Sequence, residues 1–344
     1  MSELVKSLSC EVPRATHVQG IAVDKERKYM YLSFTTSFVK MDMQGNVIGS
    51  VKGLAGHLGC IAYNEEDGRV YGSLEYKHDA IGKTILEKFS DIKDVEDGFY
   101  IAIFDVDKID RPDMDADGVM TAVYLKEVVS DFKADGHRYG CSGIDGTTIA
   151  PAIGKTDGEK FLYVAYGIYS DLARNDNDNQ VILCYPVKEL CSYEEPLNQL
   201  SMHKSGPEKP LHKYFVYTGN TTWGIQNLEY DAHLGRFIAA VYRGKKENFP
   251  NFPMYMIDHS VSATEETVRG LDHGGEVLYL AEDGIYDEKS GVYGYDFPLG
   301  ATGMISLGDG YYYFSKDWTD KENNKAGTKI SLYRYDRENG FVIV

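Results

Sequence analysis

One sub-pattern recurs five times along this chain: a strand-like run, a short polar turn, then an aromatic-rich strand. The copies are residues 17–24 with 29–34, 57–64 with 69–75, 141–149 with 160–166, 224–231 with 236–242, and 300–307 with 311–315. Apolar and small residues alternate with period two in these runs, which marks them as strands. A repeated supersecondary unit cannot bury its own apolar face and must stack on its neighbours, so the repeat dominates every other feature of the chain.

A third strand follows each pair, at 38–42, 99–105, 180–185, 255–258 and 330–336. An outer, fourth strand fits at 47–51, 119–125, 214–217, 276–281 and 341–344. Four-stranded units arranged around a channel make a propeller. The chain therefore reads as all-β, a single β-propeller domain over residues 1–344 with five four-stranded blades. The repeat spacing is uneven, so a sixth blade stays open. Two β-sandwiches would not repeat one strand order five times. The architecture resembles the broad superfamily of WD40-, NHL- and gluconolactonase-like propellers. The WD dipeptide and the S-x-D-x-G-x-T-W repeat are absent, so the resemblance assigns no catalytic residue. Residues 3–12 are expected to add a strand to the last blade and close the ring.

Composition limits the partners. There are 36 Lys and Arg against 53 Asp and Glu, a net charge of −17. Such acidity repels phosphate backbones and anionic lipid, so neither nucleic acid nor a membrane is an expected partner. The five cysteines, Cys10, Cys60, Cys141, Cys184 and Cys191, lack CxxC spacing and are odd in number, which favours a reducing compartment over a disulfide framework. With no leader pattern and no run of 18 apolar residues, a cytoplasmic location is expected. P-loop, G-x-S-x-G and H-E-x-x-H motifs are absent, which disfavours ATPase, α/β-hydrolase and zincin chemistry.

Loop lengths select a face. The turns between first and second strands are short in four of five units, whereas the loops 77–98, 168–179, 244–253, 316–328, 129–140 and 282–299 are long. Long loops on a rigid scaffold are where sites usually lie. They emerge where the first strand of each blade begins. That mouth should gather Gln19, Tyr166, Trp223, Gln226 and Trp318 for substrate binding. Glu75, His78, His137, Arg243 and Lys316 are the candidates for catalysis. Glu75 or His78 would be the general base and Arg243 with Lys316 would hold an anionic group. His17, His57 and His137 could instead hold a divalent transition metal through neutral imidazoles. Residues 83–95 have helical spacing and are expected to cover this face.

Asp113, Asp115 and Asp117, in D-x-D-x-D-G, open like a calcium loop, but Tyr124 stands where its bidentate Glu belongs. Any calcium there would be structural and on the opposite face. Two functions follow. The first is a hydrolase, lyase or isomerase acting on a small polar molecule such as a carbohydrate or sugar acid. The second is a non-catalytic scaffold docking a protein or peptide across the same face.

Overall fold

The inner strands start where the repeats start, and each is followed by its blade in antiparallel order. The structure is a computed structural model describing residues 4–11, 17–89, 95–320, 322 and 325–344. Blade 1 is Val18–Val23, Tyr29–Phe34, Ser37–Asp42 and Val47–Lys52. Blade 2 is His57–Asn64, Arg69–Tyr76, Gly98–Phe104 and Met120–Tyr124. Blade 3 is Cys141–Pro151, Lys160–Ile168, Asn179–Pro186 and His212–Tyr217. Blade 4 has Thr222–Asp231, Arg236–Tyr242 and Met254–Asp258. Blade 5 has Met304–Gly308, Tyr311–Asp320 and Lys325–Asp336.

The core is five separate apolar layers, one between each neighbouring pair of blades. Between blades 1 and 2, for example, Tyr31 and Phe38 meet Leu58, Leu74 and Phe104, with the Phe38 and Phe104 rings stacked at 4.4 Å. Five layers for five blades leave no place for a sixth. Each blade is thus held by its two neighbours, the usual economy of a repeat fold closed into a ring.

Closure comes from the N-terminal segment. Ser7–Glu11 pairs antiparallel with Gly327–Ser331, while Gly340–Ile343 pairs with Tyr333–Asp336, so two short strands share the outer edge of blade 5. Leu8 and Cys10 point inward and are 4% and 1% exposed, whereas Ser7, Ser9 and Glu11 face out. The period-two alternation in this short strand is what fixes its register.

Three expectations change. The segment expected to edge blade 4 mostly edges blade 3 instead: Gly274–Leu278 runs parallel to Tyr214–Val216, and blade 4 receives only bridges from Leu280 to Ile257 and Tyr295 to Met254. Packing explains the choice, since Gly275 lets the strand lie close to the Phe215 ring and Val268 fills the layer behind it. The loop expected at 316–328 is largely strand, because Tyr311–Asp320 and Lys325–Asp336 stay paired as far as Asp320 and Lys325. The helix expected over 83–95 is Ala80–Leu86, started by the Asp79 carboxylate accepting from Gly82 N at 2.9 Å. Residues 90–94 of that range lie outside the described residues.

All five cysteines are free thiols. Burial pushes Cys10 up to about 11 and Cys60 and Cys184 up to about 12, so these sulfurs stay protonated and are poor nucleophiles. Among the described residues, no helix is long and apolar enough to cross a membrane.

Deleting residues 1–12 removes the closing strand and exposes the layer under Leu8 and Cys10. The melting temperature should fall by several degrees, with Leu8→Ala giving a smaller fall in the same direction. Calorimetry of the three proteins checks this, and unchanged curves would contradict closure by this segment.

Candidate functional site

A bulge in the inner strand builds the mouth. In blade 1 the register slips between Val18 and Gly20, leaving Gln19 unopposed. In blade 2 Gly59 and Cys60 face the single residue Ser73. In blade 3 Asp145 and Gly146 face Ala165, and in blade 4 Gln226 is the extra residue. A bulge breaks the period-two alternation and re-aims side chains. Here it gathers polar groups from four blades that ideal strands would have split between two interblade layers.

His57, Glu75 and Asp145 meet at this mouth. Among the described residues they are the one group of three His, Cys, Asp or Glu side chains whose ligand atoms all lie within 4.8 Å of one another. His57 Nδ1 is 3.5 Å from Glu75 Oε1 and 3.7 Å from Asp145 Oδ1. Both distances exceed hydrogen-bonding reach, and Nδ1 is buried without a hydrogen-bond partner. The other carboxylate oxygens are committed: Glu75 Oε2 accepts from Ile144 N at 3.1 Å and Asp145 Oδ2 from Gln226 Nε2 at 3.1 Å. Lys77 lies behind, its ammonium 2.5 Å from Glu75 Oε1, 2.9 Å from the Ser142 carbonyl and 3.4 Å from Asp79. Gly143 makes room: its φ is +128°, and a Cβ there would stand 2.0 Å from Glu75 Oε2.

The charges interact strongly. Burial disfavours a charged Glu75, but the Lys77 ammonium and His57 outweigh it and hold this carboxyl below its ordinary range. Burial and the Glu75 charge push Asp145 up to about 7. Burial disfavours a protonated His57, yet Glu75 and Asp145 outweigh it and raise its imidazole. Burial lowers His17, helped by His57. Two carboxyls separated in this way, beside an imidazole, can exchange protons or bind a cation.

Asp145 and Lys77 were not among the sequence candidates. Asp145 sits in the bulge, where the strand pattern that guided the reading fails. Lys77 sits two residues past Glu75, just beyond the strand Arg69–Tyr76.

The structure places the other candidates as follows. Gln19 Nε2 donates to His17 Nε2 at 3.0 Å and to Thr35 Oγ1 at 3.2 Å, so His17 faces Gln19. Trp223 stands at the rim, 39% exposed, with φ +66° and its ring edge-on to Tyr169 at 6.3 Å. The histidine triplet His17, His57 and His137 does not assemble, because His137 Nδ1 lies 2.6 Å from the Phe132 carbonyl and its ring packs on Phe132 and Tyr169. Tyr166 is fully buried and its hydroxyl donates to Asp131 at 2.8 Å, which removes it from any surface. His78 pairs with Asp97 at 3.0 Å, away from Glu75. Arg243 pairs with Asp296 and the Asn251 carbonyl, and Lys316 is exposed opposite Lys329 in the long hairpin, so the two cations do not converge. Trp318 lies opposite Gly327 in the same hairpin, its ring close to the Gly327 Cα. Asp113, Asp115 and Asp117 do not converge either, because Met114–Asp115 is drawn off as a strand beside Val51–Lys52.

The opposite mouth holds a cavity of about 440 Å³, lined from all five blades by residues including Arg27, Tyr63, Lys160, Glu229, His233 and Ser306. Glu229 Oε1 accepts from Ser306 N at 3.0 Å. Burial, with a smaller push from Asp231, raises this carboxyl to about 8 despite that hydrogen bond.

No family model matches the chain, and no curated protein does. Among solved structures the chain is similar to the Dos1 propeller, at 10% identity and a TM-score of 0.35, over 96% of this chain and 81% of that one. It is also similar to the β-propeller domain of Cps50 (Swd1) from Myceliophteria thermophila, at 8% identity and a TM-score of 0.34, over 90% and 82% of the two chains.

Glu229 gives a pH prediction. The folded chain keeps this proton up to about 8, whereas an unfolded glutamate loses it near 4.5. Between those values the folded state binds more protons, so this group makes stability fall as pH rises through that window. Glu229→Gln should therefore lose less melting temperature than the parent between pH 5 and pH 8.5. Equal losses would show that Glu229 titrates normally.

Proposed function

We propose that the mouth where the inner strands begin binds a small polar molecule, a carbohydrate or sugar acid, and acts on it as a hydrolase, lyase or isomerase. The observation that carries this reading is the convergence of His57, Glu75 and Asp145 within 4.8 Å, with a buried imidazole nitrogen left unpartnered. Buried polar atoms are nearly always paired, and exceptions concentrate where a ligand completes them. A site whose only task is to hold blades together gains nothing from such an atom.

The roles follow from position. The reacting groups of the substrate would meet His57, Glu75 and Asp145 at the channel axis. Lys77 is a positioning residue: its contacts to Glu75, Asp79 and the Ser142 carbonyl orient the Glu75 carboxylate. Trp223 supplies a flat apolar face at the rim, suited to stacking on a sugar ring. Its positive φ is a strain that ordinary surface residues avoid, and strain of this kind gathers at ligand sites.

The test is a thermal-shift and calorimetric screen of the purified chain against neutral sugars, uronic acids and aldonic acids. At 100 times its dissociation constant a ligand stabilises by about 2.7 kcal/mol, which a melting curve resolves. Trp223→Ala should weaken the best ligand about three- to tenfold without lowering the melting temperature of the free protein. If no small molecule shifts the parent, and Trp223→Ala abolishes binding of a purified protein partner, the scaffold reading replaces this one.

A further inference from the structure

We propose that His57 Nδ1, Glu75 Oε1 and Asp145 Oδ1 hold one divalent transition-metal ion at the channel mouth. The inference concerns the same mouth, and it rests on the reading above for what the ion would serve.

Four observations lead to it. The first is spacing. Metal–nitrogen and metal–oxygen bonds of about 2.1 Å in a tetrahedral shell put neighbouring donors about 3.4 Å apart. His57 Nδ1 stands 3.5 and 3.7 Å from the two carboxylate oxygens, too far for hydrogen bonds and close to the edge of such a shell. The second is the unpartnered, buried Nδ1. It faces one oxygen of each of two carboxylates, an arrangement that a cation bound between the three atoms would complete.

The third is the outer layer of contacts. Ile144 N holds Glu75 Oε2 and Gln226 Nε2 holds Asp145 Oδ2, each at 3.1 Å. Each carboxylate therefore has one oxygen anchored and the other turned toward His57. Carboxylates that ligate metals are oriented in this way by their second oxygen. Gln226 is itself fixed by a bond to the Trp223 carbonyl at 2.9 Å, so the anchoring reaches the rim.

The fourth is charge. Three carboxyl groups, Glu75, Asp79 and Asp145, stand around the single ammonium of Lys77, so acidic groups outnumber fixed cations. A divalent ion offsets that excess. Lys77 remains compatible with it, since Glu75 Oε1 has a second lone pair and the ammonium is also held by the Ser142 carbonyl. One imidazole and two carboxylates suit manganese or zinc better than calcium, which takes oxygen donors alone, or copper(I), which prefers sulfur.

The test uses the full chain, stripped with a chelator and titrated with Mn²⁺, read by loss of the free-ion electron paramagnetic resonance signal, and with Zn²⁺, read by calorimetry. One ion per chain is expected. His57→Ala and Asp145→Asn should each weaken it at least tenfold, and Asp113→Asn, on the blade 2 connection, should leave it unchanged. Circular dichroism of the stripped variants checks folding, and His57→Gln replaces His57→Ala if the alanine variant does not fold. No ion bound by the parent, or equal affinity in the parent and the His57 and Asp145 variants, would overturn the proposal. Running the sugar screen on stripped and loaded protein separates the two readings. A sugar shift without metal binding overturns the metal alone, and metal binding without any sugar shift overturns the enzymatic reading alone.

Discussion

The extra residue in the inner strands is the constraint on which the rest of the mouth depends. Five inner strands crowd one axis, and adjacent ones nearly touch: a Cβ on Gly20 would stand 2.7 Å from Ile61 N in the next blade. Regular strands so close could present only small apolar groups inward. The slip in register frees backbone groups from their own ladder, and these must be paired elsewhere. Hydroxyls from the second strands pair them across blades. Ser33 donates to the Gly59 carbonyl at 2.6 Å, and Ser73 to the Asp145 carbonyl at 2.7 Å. Asn227 does the same toward the Gln19 and Ala301 carbonyls at 2.8 and 3.1 Å. The Gly59, Asp145 and Gln19 carbonyls at three of the bulges are therefore paired by bonds that also cross from one blade to another.

How much of this was legible follows from where period two holds. It holds in the second and third strands, so the repeat and its four-stranded units could be read from spacing, while the uneven repeat lengths left five and six blades both open. It fails in two places. In the bulge, Asp145 reads as one polar residue in a Gly- and Thr-rich run and carries no signal of its own. On the outer edges, strands are short and their partners are chosen by packing between distant segments. Glu195–Pro196 illustrates this, leaving blade 3 to add two residues beside Thr121–Ala122 of blade 2. The loop expected at 129–140 begins inside the helix Lys126–Lys133, whose Val128 and Phe132, four residues apart, both enter the core.

Histidines were the least legible residues, because their role depends on what the ring nitrogens meet. His57 and His137 look alike in sequence, each beside a glycine at the start of a strand region. His57 follows Gly56 directly into the inner strand, and its ring reaches the axis. His137 sits at φ +56° in the turn after Lys126–Lys133, which aims Nδ1 at the Phe132 carbonyl. A backbone dihedral, set by a turn no pattern announces, separates an axial group from a loop cap.

The two mouths also show why a buried carboxyl alone does not define a site. Glu229 and Asp145 are both raised by burial, to about 8 and about 7. Glu229 relies on a neutral partner, the Ser306 amide, and its simplest resting form is the uncharged acid. Asp145 stands beside Glu75, which Lys77 keeps ionised, and beside an imidazole whose Nδ1 has no bond. The first arrangement is complete when protonated. The second sets two carboxylates around an imidazole whose Nδ1 meets neither within hydrogen-bonding distance. That unmatched demand, rather than the shift of any one group, distinguishes the mouth where the inner strands begin.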